Sequence, residues 1–290
     1  RDSDIAMYRA KAAGRARYEV FDQEMLRHAV RLLSLDTDLR RALVREDFVM
    51  HYQPIVALDS GRIVGFESLV RWNHPERGLV APEQFIAIAE ETGLIVPLCW
   101  VALRQACVQT RVWQLAFPSD PPLFICVNFS GKLFMQPGAV EQLMAILAET
   151  GLPPECLWLE VTENVVVDHG DEVMAKLREL RSLGVQLSID DFGTGYSSLS
   201  YLQRFQYDSL KIDRSFVRTM GLTSDSRNIV KTILTLADDL GIGVVAEGVE
   251  TEEQAIRLRQ MQCPLGQGFW FARPLNPDAA TELIKSSTHL

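Results

Sequence analysis

The sequence predicts an α/β protein, a TIM-like (β/α)8 barrel with an antiparallel first strand, preceded by a helical linker. From Phe48 onward, short apolar runs alternate with stretches of helical periodicity, which is typical of a parallel sheet covered by helices. There are eight strand candidates, a number that suits a closed barrel better than an open sheet. Polar residues collect at the ends of these runs, where barrels of this class carry their chemistry.

The first residues do not look like the start of a domain. A helical pattern ends at Gly14 and a short strand-like run, Arg17 to Phe21, follows it. From Gln23 to Val44 the apolar residues return at helical spacing, which suits a connecting helix or a packed first helix. We therefore expect three parts: 1–22, a linker helix over 23–46, and the barrel over 47–290.

The barrel is predicted to open with a hairpin, Phe48 to Leu58 and Arg62 to Trp72, that turns at Asp59-Ser60-Gly61. The other predicted strands are Leu123–Phe129, Leu157–Thr162, Val185–Asp190, Ser209–Asp213, Ile242–Glu247 and Phe269–Phe271. The predicted helices are Pro82–Glu91, Leu94–Leu115, Ala139–Glu149, Asp171–Leu183, Ser197–Arg204, Asp225–Leu240, Glu252–Met261 and Pro277–Lys285.

The composition excludes several classes of protein. With 47% apolar and 23% charged residues in a chain of 290, it is that of a globular protein with a large core. No apolar run is long enough for a membrane span, and no signal peptide is recognised. The net charge of −9 disfavours a nucleic-acid polymer as partner. Five cysteines without Cys-x-x-Cys spacing predict reduced core thiols in a cytoplasmic protein, with a thiol nucleophile or zinc site as the alternative.

The segment that begins with Asp190-Asp191 is the strongest candidate for a functional site. Two carboxylates end a strand, no Lys or Arg stands beside them in the sequence, and Gly193 and Gly195 follow. Such a pair repels itself, and a divalent cation would remove that conflict. An Asp-rich turn before a glycine loop is the alternative interpretation.

Other strand ends carry polar residues as well, and most of these are carboxylates. They are Glu67, Asn128, Glu160 with Glu163, Lys211, Glu247 with Glu250, and Gln267 before the last predicted strand. In a barrel these side chains would converge, which would be costly without cations. Oxygen ligands without a histidine cluster indicate Mg²⁺ or Mn²⁺ rather than zinc.

In this order the motifs closely resemble the EAL-domain family of cyclic-di-GMP phosphodiesterases, from about Phe48 to the end of the chain. The matching motifs are Phe66-Glu67-Ser68-Leu69, Val127-Asn128-Phe129-Ser130, Leu159-Glu160-Val161-Thr162-Glu163, Asp190-Asp191-Phe192-Gly193-Thr194-Gly195, Leu210-Lys211-Ile212-Asp213, Ala246-Glu247-Gly248-Val249-Glu250 and Gly266-Gln267-Gly268. The departures are Ser68 where the family has alanine, Phe269 where tyrosine is commoner, and Gln206 where proline is usual; none removes a metal ligand. Residues 1–22 resemble the end of a GGDEF diguanylate cyclase domain.

The resemblance implies a role for each matching residue. Glu67, Asn128, Glu160 and Asp190 would bind one metal ion, and Asp190, Asp191 and Glu247 a second. Lys211 would contact the attacking water and the phosphate, and Glu247 would accept the proton of the water. Glu163 would anchor the loop after Asp191, Glu250 would lie beside the second metal, and Arg71 and Gln267 would contact substrate.

The implied reaction is two-metal hydrolysis of cyclic-di-GMP to linear pGpG, with two Mg²⁺ or Mn²⁺ ions and with Ca²⁺ inhibitory. A non-catalytic cyclic-di-GMP receptor and a phosphodiesterase for another cyclic nucleotide are the alternatives. The resemblance also favours a homodimer with upstream GGDEF and sensor domains, through which the full-length protein could be membrane-attached. We further expect the loop from Phe192 to Ser198 to move without substrate, and Ser68, one residue after Glu67, to point away from the metals.

Overall fold

The structure, a computed structural model, describes residues 35–193, 207–220 and 224–286, without the side chains of 163–171 and 224–227. Several predicted features lie outside this description: the segment 1–22, the linker up to 34, the helix Ser197–Arg204, Gln206, and the loop beyond Gly193. Residues 35–45 form helix α1, and its Leu35, Leu39 and Ala42 are buried in the core.

The strands close into a barrel, as predicted. They are β1 Phe48–Ala57, β2 Ile63–His74, β3 Gly78–Val80, β4 Phe124–Asn128, β5 Leu157–Thr162, β6 Gln186–Phe192, β7 Ser209–Ile212, β8 Gly243–Ala246 and β9 Leu265–Gln267. Strands β2 and β4 to β9 run parallel to one another. Strand β1 closes the ring by pairing antiparallel with both β2 and β9. The short β3 only extends the far end of β2. The predicted (β/α)8 barrel with an antiparallel first strand is therefore confirmed.

The last strand lies elsewhere than predicted. It is Leu265–Gln267, whereas the predicted segment, Phe269–Phe271, is a turn in which the amides of Phe271 and Ala272 donate to the carbonyl of Gly268. The strand was predicted here because aromatic residues are common in strands. Phe269 is instead about half exposed, at 49%. Position 268 before this turn requires glycine, because a Cβ there would lie 2.2 Å from the carbonyl oxygen of Val249.

Helices and two short 3₁₀ segments, Pro82–Gln84 and Pro154–Cys156, cover the outside of the barrel. After α1 they are α2 Ile86–Thr92, α3 Ile95–Ala116, α4 Gly131–Phe134, α5 Ala139–Thr150, α6 Glu163–Ser182, α7 Arg214–Thr219, α8 Ser224–Leu240, α9 Glu252–Gln260 and α10 Pro277–Ser286. Helix α6 begins earlier than the predicted Asp171, since its first turns contain a run of β-branched valines that obscures the helical pattern. No helix in the described ranges is both long and apolar enough to cross a membrane.

The barrel interior is apolar at its lower end. Ile55, Cys126 and Val245 form a small buried cluster there, beside the stacked rings of Phe124 and Trp158, whose centroids lie 4.3 Å apart. The larger core lies between the sheet and the helices. All five cysteines are buried and none forms a disulfide, which confirms them as core thiols. The lower interior is filled, and a pocket opens at the carboxyl ends of the strands.

Candidate active site

The polar strand ends converge on one buried lysine. Lys211, near the end of β7, is 1% exposed, and its Nζ lies 2.6 Å from Glu247 Oε1 and 2.8 Å from Glu160 Oε1. The same nitrogen lies 3.2 Å from Glu67 Oε2 and 3.5 Å from Asp190 Oδ1. Lys211, which is distant from the aspartate pair in the sequence, therefore lies beside Asp190 in space. Burial lowers the pKa of Lys211, but the surrounding carboxylates outweigh this effect and raise it well above its ordinary value.

Glu67 is held from both of its oxygens. Asn128 Nδ2 donates to its Oε1 at 2.8 Å, and Gln267 Nε2 donates to its Oε2 at 2.6 Å. Burial raises the pKa of Glu67, but Lys211 and these hydrogen bonds outweigh it, so the net pKa is lowered. Glu67 is consequently an oriented, ionised carboxylate even without a metal ion.

The neighbour of Glu67 points the other way, as the two-residue period of a strand predicts. Ser68 is buried, and its Oγ donates to the carbonyl oxygen of Cys126 on β4 at 3.1 Å. The predicted strand register, with Glu67 inward and Ser68 outward, is confirmed.

Gln53 belongs to the same site, and the sequence reasoning missed it. It lies opposite Glu67 on β1, accepts from Gln267 Nε2 at 3.0 Å and donates to the carbonyl of Ala272 at 3.0 Å. Because β1 is antiparallel, this residue sits in mid-strand and not at a strand end. The sequence feature that could have pointed to this residue is a glutamine before Pro54 in a mostly apolar predicted strand.

Asp190 and Asp191 both reach the pocket because β6 is irregular there. The pairing of β6 with β7 shifts between Ile189 and Phe192, and Asp191 has a positive φ of 55°. This bulge lets two consecutive side chains share one side of the strand, and it carries β6 past its predicted end at Asp190. Burial, followed by the charge of Asp190, raises the pKa of Asp191.

The outer carboxylates form a cluster that could hold a metal ion. One ligand atom each from Asp190, Asp191 and Glu247 lies within 4.8 Å of the others. Burial raises the pKa of Glu247 to about 7, against the opposing effect of Lys211. Three carboxylates this close fit a divalent cation that prefers oxygen ligands, because such an ion would offset both their burial and their mutual repulsion.

Glu160 is fully buried; its Oε1 accepts from Lys211 Nζ at 2.8 Å, and no strong donor among the described residues reaches its Oε2. Burial, reinforced by the charge of Glu67, raises its pKa well above the ordinary value. Its Oε2 therefore remains available to an added ligand, which a metal ion would satisfy.

The pocket above these groups has a volume of about 400 Å³. Glu250 and Gln267 line it with the carboxylates, and the backbone amide of Glu250 donates to Gln254 Oε1 at the start of α9. Arg71 is not among the described lining residues; its Nη1 donates to the carbonyl of Val70, and burial lowers its pKa. Glu163 begins α6, and its side chain lies outside the description, so its anchoring role stays a prediction.

Comparison with known proteins identifies similar sequences and structures. The profile of the EAL domain matches residues 36–274. The bifunctional diguanylate cyclase/cyclic di-GMP phosphodiesterase MucR of Pseudomonas aeruginosa is 43% identical over 274 residues, which cover 94% of this chain and 40% of MucR. The cyclic di-GMP phosphodiesterase NbdA of the same organism is 40% identical over 286 residues, 99% of this chain and 36% of NbdA. This chain thus spans less than half the length of these two relatives.

A solved structure of the PaMucR phosphodiesterase in complex with c-di-GMP has the same fold. It matches with a TM-score of 0.80 at 42% identity, over 85% of this chain and 99% of that chain.

Proposed function

Because the chain belongs to the EAL domain family, we propose that it is a metal-dependent phosphodiesterase that hydrolyses cyclic-di-GMP to linear pGpG. The observation that carries this proposal is the convergence of Glu67, Glu160, Asp190 and Glu247 on Lys211, with Asp191 close by. The names of two relatives, MucR and NbdA, and the c-di-GMP complex of PaMucR support the choice of substrate.

The donor set suits two Mg²⁺ or Mn²⁺ ions. Glu67, Asn128, Glu160 and Asp190 would hold one of them, and Asp190, Asp191 and Glu247 the other. When bound, such ions supply Lewis acidity that makes a water easier to deprotonate and neutralises charge on the phosphate. The buried Oε2 of Glu160, which no strong donor among the described residues reaches, and the close outer carboxylates support this assignment.

The side chains of the protein perform the remaining steps in this proposal. Glu247, whose pKa burial raises to about 7 in the metal-free protein, would accept a proton from the attacking water. Lys211 stays charged and would stabilise the developing negative charge on the phosphate and the leaving 3′ oxygen. The pair Gln53 and Gln267 holds Glu67 in place, so the ligand geometry exists before substrate arrives.

Further roles remain proposals. Arg71 would contact a phosphate and Gln267 the substrate, whereas Glu250 and Glu163 would support the second metal and the loop after Asp191. We also propose a cytoplasmic homodimer, a GGDEF remnant over 1–22 and a linker over 23–46, with upstream sensor domains in the full-length protein. The match of the chain to less than half of MucR and NbdA supports the last point.

Product analysis with a panel of cyclic dinucleotides tests this function. With Mg²⁺ or Mn²⁺ we expect conversion of cyclic-di-GMP to pGpG, and with excess chelator or Ca²⁺ little turnover, because the longer and looser coordination of Ca²⁺ misplaces the water. Tight binding without product would favour the receptor alternative. Faster hydrolysis of another cyclic dinucleotide would overturn the substrate assignment.

A further inference from the structure

Three neighbouring strands present polar side chains at one level inside the barrel. Glu160 on β5 pairs in register with Ser188 on β6, and Ser188 pairs with Ser209 on β7. Ser188 and Ser209 are 0% exposed, and Glu160 is 1% exposed. We call these three residues the inner polar layer.

The inner polar layer faces the interior beneath the candidate active site. Ser188 shares a strand face with Asp190, and Ser209 shares one with Lys211, because residues two apart in a strand point the same way. Cys126 and Val245, which belong to a small buried apolar cluster, are in register with Glu67 and Lys211. This cluster offers the polar atoms little beyond the Cys126 thiol, a weak donor that interacts with Glu160.

Three oxygens in this layer have no strong hydrogen-bond donor or acceptor among the described residues. They are Oγ of Ser188, Oγ of Ser209, and Oε2 of Glu160, whose Oε1 accepts from Lys211 Nζ. A buried polar atom without a partner destabilises a fold, and proteins usually satisfy such atoms with protein groups or with an ordered internal water. Three such atoms on three adjacent, in-register strands point to a common ligand.

We propose that the inner polar layer is a binding site for ordered water that hydrogen-bonds Ser188, Ser209 and Glu160. Water fits because it can both donate to the carboxylate and exchange hydrogen bonds with the two hydroxyls. A further cation between the two serines fits less well, because two hydroxyls and one carboxylate oxygen are few ligands for a metal ion.

The bound water would act as a positioning element for Glu160. Glu67 has protein donors on both oxygens, whereas Glu160 has Lys211 on Oε1 and, besides it, only the weak Cys126 thiol. A water that is hydrogen-bonded to the two serines would donate to Glu160 and so orient its carboxylate. This role rests on the proposed function, because it assumes that Glu160 is a metal ligand; the water site itself does not.

The double variant Ser188→Ala with Ser209→Ala tests the site in the metal-free protein. If the hydroxyls hold water, their removal should lower the thermal transition temperature by a few degrees, since hydrogen bonds are lost. If the hydroxyls are unsatisfied, the same change should raise it, because the burial of two polar groups is relieved. A raised transition temperature, or a high-resolution crystal structure of the native protein without density between the two serines, overturns the water site.

Calorimetric titration with Mn²⁺ tests the positioning role without any activity assay. We expect roughly ten-fold weaker binding by the double variant. Ser68→Ala is the matched control, because it removes a buried serine hydroxyl that points to the outer side and should leave Mn²⁺ affinity unchanged. Native Mn²⁺ affinity in the double variant overturns the role, and each single variant serves if the double variant does not fold. A native protein that binds Mn²⁺ and water but hydrolyses no cyclic dinucleotide would refute the proposed activity alone.

Discussion

The two sides of the pocket differ in how their carboxylates are compensated. On the β2 side, Glu67 receives hydrogen bonds from Asn128 and Gln267 as well as the charge of Lys211, and its pKa is lowered. On the opposite side, burial raises the pKa values of Asp191 and Glu247, although Lys211 acts against it. Protein groups compensate the carboxylate on the β2 side, whereas the carboxylates on the opposite side would be stabilised most by an added cation.

In the proposed metal site the two sides would therefore contribute differently. The β2 side would orient its carboxylate before the metal ion binds, and the other side would attract the ion. A carboxylate that is already oriented loses little entropy when it binds a metal, so the β2 side can set the geometry. The clustered carboxylates of the other side supply the attraction, since a divalent ion relieves their repulsion. Each of the following substitutions acts on one of these two contributions.

The largest effect is expected from Asp190→Asn. Asp190 is proposed to bridge both ions, so its loss should lower turnover of cyclic-di-GMP by roughly a thousand-fold or more while the fold persists. Initial rates with Mn²⁺, together with circular dichroism, measure both properties. Substantial hydrolysis by this variant, or by the native protein in excess chelator, would contradict the two-metal mechanism.

On the β2 side, Glu67→Gln should nearly abolish activity, because it keeps the shape of the side chain but removes its charge. Its neighbour Ser68 provides the control, since the hydroxyl bonds to the carbonyl of Cys126 and not to the site. Ser68→Ala should leave turnover and metal dependence within a few-fold of native, because it removes only one hydrogen bond outside the site. Equal damage from the two substitutions would mean that the β2 side does not act through Glu67 alone.

Replacing the shared cation tests whether both sides depend on it. Lys211→Met leaves four buried or half-buried carboxylates without their common partner, and we expect the metal-free free energy of unfolding to fall by about 3–5 kcal/mol. Added Mn²⁺ should restore part of this loss. Urea unfolding with and without Mn²⁺ measures it, and Lys285→Met, which removes an exposed ion pair with Glu282, should change stability by less than about 1 kcal/mol. A similar effect of both substitutions would refute the central role of Lys211.

The smallest effect concerns pH. The pKa of Glu247 is about 7 in the folded protein against an ordinary value of 4.5, so the folded state binds this proton more tightly than the unfolded state. Its contribution to metal-free stability is therefore fully present below the ordinary value and is lost as the pH rises through about 7. Urea unfolding in chelator from about pH 5 to about pH 8 should show a steeper decline for native protein than for Glu247→Gln. Curves of equal slope for the two proteins would show that the pKa of Glu247 is not raised in the folded protein.

The sequence alone determined the barrel and the chemical nature of its upper rim. Alternating apolar runs predicted seven of the eight barrel strands, because period and length are local properties of the chain. Asp190, Glu160, Glu67 and Glu247 were found from the same local rule, that the carboxyl ends of parallel strands meet at one edge.

Tertiary structure decided what lies next to what. The position of β9 depends on the Val249 backbone that Gly268 contacts, and the partners of Lys211 come from strands far apart in the chain. Gln53 enters the site from the antiparallel strand, and the inner polar layer exists only through the register of β5, β6 and β7. The local sequence does not tell which residues these side chains meet, because register between strands is set by packing of the whole barrel. The sequence therefore identified the carboxylates of the site, and the closed barrel set the geometry in which they meet.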